Sequence, residues 1–421
     1  VSDAPATPSM AIVSHMYPQT SRPHLGVFVS EQVRALINTG APVTRVVSPV
    51  PWAPWPLPLL SKRWRTYDDV ERRRVDFEHV HVDFPRHMAF PGKRLPNASA
   101  ASAVRSIRRD TTLRDHLTAA GVLVAHSALL DGTVARGLSR RSGVPYIVFV
   151  HGEDLYQHLD PRAPASLRAT VTKVLENAAM VVAVSSAVEG GLRDALPELS
   201  RLRVLHNGVD IERFHPSELS PRADGVLRTL SAGHLVRRKA NDVVLRALAA
   251  AADTGVAFEH TIAGEGPERA DLEALAAELG IGDRVRFIGA YHHDDLPELM
   301  WGSDLFLLPS WDEAFGVVYL EALASGVPVV AASDGGAVDI VDDDVDGFLV
   351  PPRDVAAVAA AVGRFAALAA VEREAMRAAA RRKSEAFTWE ANARGLVGIV
   401  REVAGEWGMH ASLDRAEHRG L

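Results

Sequence analysis

Two carboxylates, Glu313 and Glu321, bracket the stretch AFGVVYL with no charged group between them. In a continuous helix they would lie about 12 Å apart along the axis and about 80° apart around it. Catalytic carboxylate pairs of glycoside hydrolases sit about 5–10 Å apart, so these two neither share a proton nor flank one scissile bond. They are either unrelated surface charges or contacts to the two ends of a long ligand. If Glu313 stays in a loop and a helix starts near Gly316, the helix N-terminus falls between them and offers its N–H groups to an anion. A second anion-facing feature is Lys239, in AGHLVRRKAND, after a strand and the turn at Gly233. The chain has five lysines against 41 arginines, which sets Lys239 apart. Arg237, Arg238 and Lys239 read equally well as a solvated charge run. Gly264 and Gly266, in IAGEGPERADL, allow close backbone approach to a ligand, or simply a tight turn. His151, in VHGEDLY, closes a buried strand, where a histidine is more often structural than chemical.

The elements that must position these residues are short β-rich runs alternating with Ala-rich helical segments. MAIVSHMYP, PVTRVVSPV, VLVAH, PYIVFVHG, MVVAVSS and LRVLHNG read as strands in the first half. LRTLSAG, FEHTIAG, RVRFIGA, LFLLPS and VPVVAAS do so in the second. Apolar strands alternating with helices imply parallel sheets covered on both faces, an α/β class with two doubly wound, Rossmann-like lobes. The irregular, proline-containing passage 207–225 reads as a linker. The expected domains are 1–215, 216–386 and a C-terminal helical segment 387–421 that packs back on the first. TWEANARGLVGIVREV is its amphipathic helix, and the tail beyond Gly405 is expected to be frayed. Open α/β sheets bind ligands at the carboxyl ends of their strands, so the cleft between two such lobes is the expected site.

Composition narrows the chemistry. With 421 residues, two cores are expected rather than one. The absence of cysteine removes disulfides, thiolate nucleophiles and Cys-ligated zinc. Residues 1–215 hold 26 basic and 20 acidic side chains and the rest 20 and 33, so charges of +6 and −13 make up the net −7. The first half is therefore suited to an anionic partner, and no nucleic-acid binding is expected. The first ten residues show no signal-peptide pattern, and prolines 49, 51, 54, 56 and 58 exclude a spanning helix from the longest uncharged run. The expectation is a cytoplasmic protein, with peripheral contact to the inner face of the membrane as one option. By composition alone the acid-rich DIVDDDVDGF looks like a metal-binding cluster.

As an ensemble these landmarks resemble glycosyltransferase family 4, the retaining nucleotide-sugar transferases of GT-B architecture. The resemblance rests on EAFGVVYLEALASGVPVVA followed by GG, DIV and DGFLVPPRD, with AGEGPER, VRFIGAY, the Lys239 turn and HNGVDIERF in the same order. It implies that Glu313 meets the donor sugar, Glu321 the ribose, and the backbone at Phe315, Gly316 and Val317 the sugar and phosphates between. Lys239 would neutralise the diphosphate. The family's second cation, an arginine five residues earlier, is here His234, with Arg237 or Arg238 as the nearby substitute or a weaker grip on the donor as the result; Ala240 stands where glycine is usual. Gly264 and Tyr291 fall on the donor side, with YHHDDL along the base pocket. In the first half, His151 would face the donor sugar across the cleft, and the loop before Gly26 would approach the phosphates, with one glycine where many members have two.

The implied reaction is transfer of a hexosyl group from a nucleoside diphosphate sugar, UDP or GDP, with retention, to a hydroxyl of a sugar, lipid-linked or natural-product acceptor. No cofactor or metal is expected beyond the donor itself. A nucleotide-sugar 2-epimerase of the same fold and a non-catalytic sugar-nucleotide-binding protein are the alternatives. The proline- and tryptophan-rich segment 52–67 reads as an acceptor loop, an interfacial membrane contact or a packed connection. Oligomeric state is left open.

Overall fold

The structure is a computed structural model that describes residues 7–52, 67, 69–89, 95–217 and 224–417, with side chains described as far as 407. Most of segment 52–67 lies outside the described residues. The chain forms two compact units, 1–206 with 389–421, and 207–388. The first boundary falls earlier than the linker reading places it, because the start of that passage is tied to the second unit. There Val209 N–H donates to Phe387 O (2.8 Å), and Arg381 Nη1 donates to the carbonyls of Ile211 (3.1 Å) and Phe214 (2.8 Å).

Unit 1 contains β1 (Met10–Val13), β2 (Val43–Val47), β3 (Val50–Trp52), β4 (Arg73–Asp76), β5 (Val80–Asp83), β6 (Arg86–Met88), β7 (Val122–Ala125), β8 (Tyr146–Val150), β9 (Met180–Ala183) and β10 (Leu202–Val204). Its main sheet runs β10-β9-β8-β7-β1-β2-β5-β4, and β3 pairs with β6 apart from it. Strands β1, β7, β8 and β9 are buried along their whole length, as apolar runs flanked by helices on both faces require. Two features depart from the sequence reading. PVTRVVSPV is not one strand: β2 ends at Val47, and Pro49, which has no N–H to donate, separates it from β3. The sheet is also not wholly parallel, since β4 runs antiparallel to β5 at the edge.

The Val27–Asn38 helix packs on the C-terminal helix, Trp389–Glu417, where Gln32 Nε2 donates to Asn392 Oδ1 (2.7 Å) and Asn392 Nδ2 to His206 O (2.6 Å). That helix continues past Gly405, where fraying was expected. The stretch beyond contains no proline and several strong helix formers, and Trp407 Nε1 anchors it by donating to Gly143 O (2.6 Å).

Unit 2 contains β11 (Leu227–Ala232), β12 (Phe258–Ala263), β13 (Val285–Gly289), β14 (Leu305–Leu308), β15 (Val329–Ala332) and β16 (Gly347–Val350), all parallel in the order β13-β12-β11-β14-β15-β16. The strand order reverses between β1 and β7 in unit 1 and between β11 and β14 in unit 2. Such switch points open a crevice at the carboxyl ends of the strands. Among the described residues no single helix is long and apolar enough to cross a membrane.

The turn after β12 closes tightly on the turn after β11. Gly264 sits at φ +143°, and a Cβ there would lie 1.9 Å from Gly233 O. Gly264→Ala is therefore expected to cost about 3 kcal/mol or more, lowering the melting temperature by about 6–12 °C in calorimetry. Gly363→Ala, at a helical position with open space around it, should not lower it.

Candidate functional site

The unit 2 crevice is built by the segments that leave β11 and β14. After β11 the chain turns through Gly233 into a single helical turn, Arg237–Lys239, and after β14 it loops through Trp311 to Gly316. Trp311 N–H donates to Arg238 O (3.1 Å), which ties the two segments together. Lys239 Nζ lies 2.5 Å from Glu313 Oε2, and Arg238 Nη1 lies 3.4 Å from the same oxygen. Burial alone would raise the Glu313 pKa, but the two cations hold it below the usual carboxylate value. A carboxylate stabilised in this way is a poor base and a good hydrogen-bond acceptor.

The Val317–Ala324 helix begins immediately after Gly316, which adopts φ 85° at the cap. The N-cap residue, Gly316, has no side chain to cap this N-terminus, and Tyr319 OH pins the first turn to β14 by donating to Leu308 O (2.7 Å). The GG pair after β15 makes room for the loop: Gly336 N–H donates to Glu313 O (2.8 Å), and a Cβ on Gly335 would lie 2.6 Å from that same oxygen. Phe315 is buried and Val317 half-buried. Glu321, a little over one turn into the helix, is 6% exposed and has its own partner, His293 Nε2 at 2.6 Å. Tyr291 lies close enough that the Glu321 charge adds to burial in raising its pKa above the usual phenol value. The eight-residue gap thus separates two acidic positions of different character, one paired with cations and one with an imidazole, with a helix N-terminus between them.

His234 is exposed, and its Nδ1 lies 2.6 Å from Glu265 O, so it is held to the turn after β12. The second cation on Glu313 is Arg238. Gly264 belongs to the same pair of interlocked turns. Among the described residues no group of three or more His, Asp or Glu is arranged to hold a metal ion. In the acidic run, Asp346 Oδ1 accepts from Asp342 N–H (2.9 Å), while Asp344 pairs with Arg364 and Asp342 with Lys383.

His151 and Gly26 belong to unit 1. Gly26 caps the Val27–Asn38 helix at φ 60°, and a Cβ there would overlap Met16 O. His151 comes directly after β8, at the edge of a cluster that the sequence did not announce. His15 lies just beyond β1, and its Nδ1 is 2.9 Å from Asp131 Oδ2, while Asp131 Oδ1 accepts from His15 N–H (2.9 Å). His126 comes directly after β7, with Nδ1 3.2 Å from His151 Nε2. Burial opposes protonation of His15, yet Asp131 holds its pKa above the usual imidazole value. Burial pushes His151 down to about 3 and His126 well below its usual value, and the nearby His15 adds to both shifts. The four residues therefore comprise one imidazole that readily carries charge, its carboxylate, and two neutral imidazoles at the β1/β7 switch point and the adjoining end of β8.

Comparison with known proteins bears on both units. Residues 26–213 match the model of Glycosyltransferase Family 4, and residues 217–383 that of Glycosyl transferases group 1. The D-inositol 3-phosphate glycosyltransferase of Salinispora arenicola is 33% identical over 310 residues, 67% of this chain and 69% of that protein. The chain belongs to glycosyltransferase family 4. The Salinispora tropica protein of the same name is 34% identical to this family 4 chain over 305 residues, 66% of the chain and 63%, less than two thirds, of that relative's length. In fold, the family 4 chain resembles sucrose-phosphate synthase from Thermosynechococcus elongatus (TM-score 0.77, 22% identity, covering 95% of this chain and 100% of that one). It also resembles Anabaena HepE in complex with UDP and glucose (TM-score 0.68, 19% identity, 94% and 99%). The fold is thus GT-B, with a Rossmann-like domain in each unit.

Sequence reasoning on this family 4 chain missed His15, His126, Asp131 and His293. The signal for His293 was its place in YHHDDL on the stretch opposite Glu321. For the other three, the signal was a place shortly after a strand at or beside the switch point.

Proposed function

We propose that this chain is a retaining glycosyltransferase that moves a hexosyl group from a UDP-sugar to a hydroxyl of a small phosphorylated acceptor. The observation that carries the donor half is the Lys239–Glu313 pair beside the Val317–Ala324 helix, whose N-cap is Gly316, with Glu321 a turn further on. In this reading the diphosphate lies against Lys239, Arg238 and the helix N-terminus, which stabilise the charge that develops as it leaves. Glu313 accepts hydrogen bonds from the sugar and Glu321 from the ribose. Phe315, Gly316 and Val317 supply backbone contacts, Tyr291 flanks the base side and His151 contacts the sugar. Because Glu313 is held ionised by its cations, it orients the sugar and does not take the acceptor's proton. In this reading Lys239, Arg238 and the helix N-terminus do at the leaving group what a metal ion would otherwise do. UDP is favoured over GDP because HepE is seen with UDP, and a phosphorylated acceptor is supported by the names of the inositol-phosphate relatives and by the net positive charge of residues 1–215.

Thermal unfolding with UDP, GDP, ADP and TDP tests the donor half. At a UDP concentration near 100 Kd, linkage gives about 2.7 kcal/mol, or about 5–10 °C in melting temperature. GDP, ADP and TDP should shift it far less. No shift with any of the four would remove the donor assignment, and a dominant GDP shift would change the base.

A further inference from the structure

The histidine pair after β7 and β8 carries an inference about which nitrogen of His151 can meet a ligand. The His126 and His151 rings are nearly parallel (9°), with centroids 5.4 Å apart and an N···N approach of 3.2 Å. That centroid distance is close to the N···N distance plus two ring radii, so the rings lie edge to edge and the contact is an in-plane hydrogen bond. Phe28 holds the His151 ring at 4.7 Å between centroids, and Phe149 lies parallel to His126 at 5.0 Å. His126 is 1% exposed, and its Nε2 is buried with no hydrogen-bond partner among the described residues. His151 is half-buried, and its Nδ1 makes no hydrogen bond among the described residues.

Only one proton lies between His126 Nδ1 and His151 Nε2, so two neutral arrangements exist. If His151 donates from Nε2, His126 must carry its own proton on Nε2, leaving a buried N–H with no acceptor among the described residues. If His126 donates from Nδ1, its Nε2 is a bare lone pair. In folded proteins a buried N–H without a partner is rarer than an unpaired buried acceptor. The second arrangement is therefore the favoured one, and burial together with the neighbouring His15 disfavours a second proton on the pair.

We infer that His126 is a positioning residue that fixes His151 as the Nδ1–H tautomer, so that His151 presents a hydrogen-bond donor, and not a base, to whatever binds at the end of β8. Its consequence for catalysis rests on the proposed function above: His151 would donate to a donor-sugar oxygen and could not accept the acceptor's proton at Nδ1. Its test does not rest on that reading. In the 15N-labelled full chain, His151 should show an N–H signature at Nδ1 and a bare, hydrogen-bond-accepting signature at Nε2. His126→Asn, whose side-chain amide can occupy the place of the Nδ1–H donor, should keep that pattern. His126→Phe should release His151 to the Nε2–H tautomer, and affinity for the UDP-sugar should fall about tenfold, with recovery in His126→Asn. An Nε2–H signature for His151 in the parent protein, or an unchanged tautomer in a folded His126→Phe, overturns the inference. The tautomer is read without nucleotide sugar, so a failure of the transferase reading and a failure of this one are distinguishable.

Discussion

Lys239→Ala is expected to reduce kcat by about 10²–10³-fold, the range seen when one preorganised group facing a developing negative charge is removed. The geometry makes the loss larger than that of a single surface cation. Lys239 is only 13% exposed at its side chain and Glu313 14%, so the carboxylate left behind is poorly screened. In Lys239→Ala, Glu313 keeps only Arg238, at 3.4 Å and with a side chain 48% exposed. Its negative charge then repels an incoming diphosphate that Lys239 would have bridged. A double-mutant cycle exposes this: Lys239→Ala/Glu313→Gln should bind UDP more tightly than Lys239→Ala alone, because the repulsion has gone. The measurements are nucleotide release under turnover and calorimetric titration with UDP. Lys383→Ala, which removes the partner of Asp342 in the acidic turn, serves as a control and should leave both unchanged. Turnover of Lys239→Ala within about threefold of the parent would refute the phosphate role.

Much of this site could be read from local sequence, because its geometry is set by short segments at strand ends. Gly316 before VVYLEALA marks the helix start, and the spacing from Glu313 to Glu321 places the two carboxylates on either side of it. The pairings could not be read. Glu321 meets His293 across 28 positions, and Lys239 meets Glu313 across 74, distances over which sequence carries no register. The same limit hid the unit 1 cluster: Asp131 sits 116 residues from His15, and only the sheet order brings β1 and β7 together. The edge hairpin β4–β5 was missed for a local reason. Its turn uses positive φ at Phe77 (50°) and Glu78 (66°), where glycine or asparagine is the usual marker, and RRVDFEHVHVD offers neither. The unit boundary was displaced because proline and irregular period mark a lack of regular structure, whereas membership of a unit is set by hydrogen bonds such as Val209 to Phe387.

Between pH 7 and pH 5, unit 1 is expected to lose far more stability than unit 2. Three of its histidines are held as neutral rings, His87 and His126 buried and His151 half-buried: His87 is pushed down to about 4, His151 to about 3, and His126 well below its usual value, desolvation being the first cause in each. The unfolded chain takes up protons at these positions near pH 6.5 and the folded chain does not, so each removes about 1.4 kcal/mol per pH unit below that point until its folded pKa is reached. At pH 5 this amounts to about 2 kcal/mol each for His87 and His151, and His126 adds to the loss in the same sense. His15 works in the opposite sense: its raised pKa gives stability that is fully present below about 6.5 and is lost as pH rises through the folded value. It therefore returns a part of the loss on the way down from neutrality. Unit 2 holds one comparable histidine, His260, pushed by burial to about 3. It also holds Asp346, raised by burial to about 6, which takes up its proton in the folded state first and so offsets about 1 kcal/mol by pH 5. Hydrogen exchange at the two pH values measures the difference: protection in β7 and β8 should fall steeply while that in β11 and β12 is largely kept. Equal loss in both units, or earlier loss in β11 and β12, would show that these rings are not held neutral. If the expected order is found, a fall in activity below about pH 6 reflects loosening of the strand ends that carry His151 and His126, because His151 itself remains uncharged in the folded protein down to a far lower pH.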